Sequence, residues 1–225
     1  MTTGIADALG RIAPPGGLVC ALWAEGDDLD GAAARTVRLT RDAAGVGPDS
    51  RVLDLGGPAV AEALRSAPAD AAFDAVVSVH GLEHLATPRQ RDRGEHLALL
   101  RAFFRSVHRR TAPGAVFAVH TTTANRLPRR PGPALALARV SRALPLWSLC
   151  WRTEEIVKAC GGAWEVRTVD THRRDAVRTV HAWLDRLRAT GPAVDDEHED
   201  LLRTCARAFE DSHLTLTRLT LHRVD

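Results

Sequence analysis

The sequence predicts an α/β domain: a mostly parallel sheet, helices on both faces and a final antiparallel strand. Three observations carry this. Short apolar runs at 51–56, 73–80 and 114–123 alternate with helix-like stretches, the pattern of strands joined by crossover helices. The last stretch, "HLTLTRLTLHRV" (213–224), alternates apolar and polar residues as a half-buried strand does. The chain has 225 residues, 45% of them hydrophobic, which suits one such domain with a core of real size.

Residues 1–19, rich in Gly, Ala and Pro, read as a loose arm. "DGAAARTVRLTRDAA" (30–44) reads as a helix with Asp30 as its cap; Ala33, Val37 and the run from Leu39 to Ala44 give an apolar side, and Gly45 and Gly47 stop it. "RVLDLG" (51–56) is a short strand. "AVAEALRSA" (59–67) is a helix with Pro58 in its first turn. "FDAVVSVH" (73–80) is a buried strand. "EHLALLRAFFRSVHRR" (95–110) is amphipathic, with Leu97, Leu100, Phe103, Phe104 and Val107 on one face. "GAVFAVHTTT" (114–123) is a strand entered through a turn at Pro113-Gly114. Residues 124–150, rich in Pro and Arg, read as a lid or insertion with a helix around 134–143, and Arg126, Arg129 and Arg130 as a solvated face. "TEEIVKACG" (153–161) opens with a capping signature, and "WEVRTVDTH" (164–172) alternates like a strand. "DAVRTVHAWLDRLRAT" (175–190) and "DEHEDLLRTCARAFEDS" (196–212) are helices. No repeat is visible, so residues 1–225 read as one domain with about five or six strands.

Composition removes several function classes. A net charge of +2 gives no reason to expect nucleic acid as a partner. The basic residues are almost all Arg, Lys158 is the only Lys, and Tyr is absent, which reads as the codon bias of a GC-rich genome. There is no signal-peptide pattern and no apolar run of the ~20 residues that a membrane helix needs. Cys20, Cys150, Cys160 and Cys205 are far apart and make no CxxC pair or zinc spacing; they read as reduced thiols of a cytoplasmic protein.

Open α/β sheets bind ligands beyond the C-terminal strand ends, which puts Gly56, Gly57, Glu83 and His120 along one rim. Glu83 and His84 follow a buried strand, and an acid there needs a partner or a task. With His120 on the neighbouring strand, Glu83 would form an acid–base pair. The plainer readings are an ion-pair or cap role for Glu83, a satisfied core His120 and a buried Cys20 thiol. His80 and His84 are weaker candidates, and His172, His181 and His222 read as structural or surface residues. The His and Glu spacing matches no familiar metal site.

Several blocks resemble one family in the same order. "CALWAEGDDLDGAAARTVRLTRDAAGVGPDSRVLDLGG", "FDAVVSVHGLEHL", "FFRSVHRRTAPGAVFAVHTTT" and "TEEIVKACGGAWEVRTVDTHRRDAVRTVHAWLDRL" resemble the cyclopropane-fatty-acid-synthase-type methyltransferases from about residue 18 to the C-terminus, apart from the lid. The resemblance implies the Rossmann-like sheet of class I methyltransferases that use S-adenosylmethionine (SAM). It implies methyl transfer to an alkene carbon, with a bound bicarbonate taking the proton that the carbocation loses. Cys20, Glu83, His120 and the backbone at Thr122 stand at the bicarbonate positions, and Ala176 stands where the family has a Tyr. For SAM, the candidate residues are Asp54, Gly56 and Gly57 in the run that stands at the family's "LDxGCGxG" loop; Gly56 matches, but Pro58 and Val60 replace its next two glycines. Pro58 removes an N–H and Val60 adds bulk. Two further strands of the family, the first ending on the acid that holds the SAM ribose, have no room here; Asp70 and Asp74 are the only acids in the connection. A right-handed crossover from 51–56 straight to 73–80 then puts the helix at 59–67 on the other face from the family's SAM-contacting helix.

The expectation is therefore a reduced class I methyltransferase sheet with impaired SAM binding. Its pocket at Cys20, Glu83 and His120 would act on a lipid-like or specialised-metabolite substrate, by methyl transfer or by SAM-independent proton transfer or cyclisation. The alternative is a non-catalytic binding or partner subunit of a full-length relative, in a homo- or hetero-oligomer.

Overall fold

Two right-handed crossovers in succession lay down three neighbouring parallel strands, and the C-terminal half adds two more. The computed structural model describes residues 10, 12–14, 17, 19–68, 72–125, 131–143, 150–190 and 196–225. Asp70 and the basic run Arg126, Arg129 and Arg130 lie outside them.

The elements are α1 (Leu29–Ala43), β1 (Val52–Asp54), α2 (Val60–Ser66), β2 (Phe73–Val79), a 3₁₀ turn (Leu82–His84), α3 (Pro88–Asp92), α4 (His96–His108), β3 (Thr111–Ala124), α5 (Pro131–Ala143), α6 (Thr153–Cys160), β4 (Trp164–Thr171), α7 (Arg173–Ala189), α8 (Asp196–Glu210) and β5 (Leu214–Arg223). The sheet order is β1-β2-β3-β5-β4. β1, β2 and β3 are mutually parallel, and β5 runs antiparallel to both β3 and β4. Among the described residues, nothing pairs with the outer edge of β1, as the short connection requires.

Alternation along the strands sorts the core onto two faces. Val76, Phe117 and Val119 meet Leu53, Val60, Phe103, Phe104 and Ile156 on the face covered by α2, α4 and α6. Ala75, Val77 and Ala118 lie under the end of α1. On that same side, Leu214 and Leu216 of β5 pack against α7 and α8. Leu100, Phe104 and Phe117 are fully buried, each contributing roughly 1.5–3 kcal/mol by the transfer of its side chain from water. No described helix is long and apolar enough to cross a membrane.

Local expectations needed correction at several points. The cap of α1 is Asp28, whose carboxylate accepts the Gly31 N–H at 2.7 Å; Asp30 lies within the first turn. Pro113-Gly114 is not a turn before β3 but an irregularity inside it. The pairing jumps from Phe73↔Thr111 to Ala75↔Val116, and Gly114 takes φ +76°, so the extra residues bulge out of the ladder. Glu155 of α6 reaches back to the Arg152 N–H at 2.8 Å, so Thr153 is already helical. In the stretch read as a loose arm, Ile12 and Val19 are buried.

One glycine fixes the meeting of β1 and β2. A Cβ on Gly81 would lie 1.9 Å from the Leu55 carbonyl oxygen and 2.6 Å from Ser78 Oγ, which itself donates to that carbonyl. Backbone cannot yield as a flexible side chain does. Gly81→Ala is expected to cost more than about 3 kcal/mol, at the severe end for one substitution; urea unfolding of the two proteins measures it.

Candidate functional site

The site forms where an extended N-terminal segment crosses the C-terminal ends of β2 and β3. Cys20, Ala21 and Leu22 are buried yet belong to no strand. Their backbone N–H groups are satisfied by side chains, as are the Cys20 and Ala21 carbonyls. Cys20 N–H donates to His80 Nε2 at 3.0 Å, and His120 Nε2 lies 2.7 Å from the Cys20 carbonyl oxygen. Ala21 N–H donates to Thr179 Oγ1 of α7 at 3.0 Å, and Leu22 N–H to Thr36 Oγ1 of α1 at 2.7 Å.

These bonds fix both imidazole tautomers. His80 Nε2 accepts, so Nδ1 carries the proton and donates to Glu83 Oε1 at 2.8 Å. His120 Nε2 faces a carbonyl, so it carries the proton and Nδ1 is the bare acceptor. Glu83 Oε1 also accepts the Thr122 N–H at 2.7 Å. The two rings stand edge to face, 5.2 Å between centroids. Glu83 and His120 are 0% exposed, Cys20 1% and His80 3%. Among the described residues, Glu83 Oε2 and His120 Nδ1 have no hydrogen-bond partner.

The structure thus gathers Cys20, Glu83 and His120, but with different partners from those expected. Glu83 pairs with His80, not with His120, and His120 is turned to the Cys20 carbonyl. Cys20 takes part through its main chain. Burial, then the nearby Glu83 and Cys150, push its thiol far up, so the sulfur is not a thiolate nucleophile. His80, ranked as weak in the sequence, is the hub. Its backbone stands at φ +52°, a left-handed conformation that aims the ring back at Glu83 three residues on, and strand patterning carries no sign of this. Ala176 is fully buried in the same apolar cluster as Cys20, so neighbouring side chains close over the position of the absent Tyr ring.

The loop after β1 does not fit SAM in the way the resemblance implies. The Gly56 N–H is taken by Asp54 Oδ1 at 3.0 Å and the Gly57 N–H by the Val79 carbonyl at 2.9 Å. Pro58 has none to offer. A Cβ on Gly56 would meet Asp54 Oδ1 at 3.2 Å and the Val79 oxygen at 3.3 Å, so the space spared by this glycine is used by the protein itself. Val60 is fully buried. Helix α2 packs on the face shared with α4, the face to which a right-handed crossover assigns it. A cleft of about 390 Å³ beside the loop is lined by Val37, Asp54, Gly57, Val79 and His80 among others. Among the described residues that line it, Asp54 and His80 are the ionisable ones.

Burial first, and the neighbouring His80 second, hold the His120 pKa well below 6.5. The unfolded chain therefore binds a proton near pH 6.5 that the folded chain refuses, so His120 favours folding less and less as pH falls below that value. Stability is expected to drop by up to about 1.4 kcal/mol per pH unit from this group. His84, lowered mainly by burial, adds to the trend. Melting curves between neutral and mildly acidic pH check it, and His120→Asn should flatten the profile.

No protein-family model matches the chain, and no curated protein matches it at a significant level. Solved structures do. The cyclopropane synthase MmaA2 from Mycobacterium tuberculosis superposes with a TM-score of 0.75 at 15% identity, covering 98% of this chain and 94% of its own. The mycolic acid cyclopropane synthase CmaA1, complexed with SAH and CTAB, gives 0.73 at 18% identity over 97% and 95% of the two chains. The [4+2]-cyclase SpnF gives 0.60 at 14% identity over 98% and 92%. At such identities the likeness is one of fold, and it agrees with the sheet, its helices and the rim described above. The chain has a reduced form of the class I methyltransferase fold, the fold of the cyclopropane synthases.

Proposed function

We propose that the protein is a methyltransferase-fold enzyme that works without SAM, acting by proton transfer or cyclisation on a lipid-like or specialised-metabolite substrate in the cytoplasm. One observation carries this: Glu83 Oε2 and His120 Nδ1 are buried, both are acceptors, and neither has a partner among the described residues. Leaving such an atom unpaired costs roughly 1–3 kcal/mol, which favours a hydrogen-bond donor or an acidic proton that comes to meet them. A substrate O–H, N–H or activated C–H is such a group. Glu83 and His120 are then the candidate general bases, His80 and the Thr122 N–H position the Glu83 carboxyl, and the Cys20 backbone orients both imidazoles. The SAM loop supports the SAM-independent version, since its N–H groups are consumed internally. SpnF, a cyclase, supports cyclisation as chemistry that this scaffold can host.

A second reading rests on the open edge of β1. A strand of three residues with nothing on its outer side among the described residues invites a strand from another chain, as a partner subunit of a related enzyme would supply.

Calorimetric titration with SAM is expected to give no binding tighter than about millimolar, because charge-assisted bonds to the ribose and backbone bonds to the methionine end, each worth roughly 1–3 kcal/mol, are missing. A micromolar dissociation constant overturns the SAM-independent reading. Turnover of the substrate, found by profiling metabolites consumed by the protein, should be abolished in Glu83→Gln with the fold retained, since the amide keeps the shape and loses the base. If the chain is a partner subunit, the same substitution leaves the activity of the complex unchanged.

A further inference from the structure

Two main-chain donors at the rim, Cys20 N–H and Thr122 N–H, converge on one small region from opposite sides. Between them lie the His80 ring and the Glu83 carboxyl: Cys20 N–H to Nε2 at 3.0 Å, Nδ1–H to Oε1 at 2.8 Å, and Thr122 N–H to that same oxygen at 2.7 Å. His120, edge-on at 5.2 Å, closes the side. In the resemblance set out above, the Cys20, Glu83, His120 and Thr122 positions surround a bicarbonate. Here Cys20, Glu83 and Thr122 are linked through the His80 imidazole and the Glu83 carboxyl, and His120 bonds the Cys20 carbonyl oxygen.

The exchange is chemically close. The N–C–N edge of a neutral imidazole has about the span of the O–C–O edge of bicarbonate, and the two offer the same pattern, one protonated atom and one bare acceptor on a flat frame. The protonated atom faces Glu83 and the bare one faces the Cys20 N–H. The chain holds His80 there in a left-handed backbone at φ +52°, a conformation that costs a residue with a Cβ and would be free for glycine.

We propose that the His80 imidazole is a built-in replacement for the planar anion at this position, so that a side chain of the protein itself bridges the Cys20 N–H and the Glu83 carboxyl, and the position takes no bicarbonate. The proposal concerns what fills the position and goes beyond the catalytic reading: it holds equally for a chain that turns over a substrate and for one that does not.

The test is a binding measurement on the full chain. ¹³C-bicarbonate at about 50 mM and mildly alkaline pH should show no saturable binding to the wild type by NMR and no rise in Tm beyond that given by chloride. His80→Gly relieves the backbone and opens a ring-sized space. It should melt lower and recover roughly 2–4 °C with added imidazole or bicarbonate, but not with chloride at equal ionic strength. Should the glycine variant not fold alone, recovery of its native circular dichroism on refolding in imidazole is the readout. Saturable bicarbonate binding by the wild type at millimolar affinity overturns the proposal. So does a variant whose stability and refolding respond to neither solute. Neither outcome depends on SAM titration or on turnover, so failure here and failure of the proposed activity are told apart.

Discussion

Between Val19 and Trp23 the chain crosses the rim of the sheet, buried and with no strand to pair with, so each main-chain group must find a side chain. Four residues from four elements answer: His80 after β2, His120 in β3, Thr36 in α1 and Thr179 in α7. The segment is in effect a peg into which the N-terminal helix, the C-terminal helix pair and the strand ends are all keyed. Thr179 is used hardest. It accepts from Ala21 N–H and from Trp23 Nε1 while donating to the Asp175 carbonyl of its own helix. This explains why polar residues that looked like isolated candidates sit so deep without unfolding the core. Much of their hydrogen-bonding capacity is spent on backbone, and Glu83 Oε2 and His120 Nδ1 are among the buried atoms left without a partner among the described residues.

The arrangement of the loop after β1 is topological before it is chemical. Once β1 connects directly to β2, handedness decides the face of the intervening helix, and α2 joins α4 on one side of the sheet. The loop that leaves β1 must then turn away from the side where α1 lies. It does so by folding its own N–H groups onto Asp54 and Val79.

Much of this was legible in the sequence. The strand positions, the direct β1–β2 pairing and the antiparallel final strand followed from apolar periodicity and connection length, both properties of continuous stretches. What escaped were features of single residues. Asp28 and Asp30 are equally good caps by type, and only the chain path into α1 chooses between them. Pro113-Gly114 has the composition of a turn, but a long strand flanked by β2 and β5 absorbs it as a bulge. At the site, the grouping of Cys20, Glu83 and His120 was visible through the resemblance, whereas the role of His80 was not. A histidine at a strand end gives no sign that its backbone is left-handed, and that backbone helps to set the direction of the ring.

The strand order also bears on how the molecule is made. β5 lies between β3 and β4, although it is the last of the five strands in the chain. When β4 emerges from the ribosome, its only partner in the sheet has not yet been synthesised, and α7 and α8 must be completed first. β1 to β3 can zip together early, over short connections, while β4 waits with its edge bare. Until β5 is complete, β4 has no strand neighbour in the described sheet, so its pairing is a late and non-local step of folding.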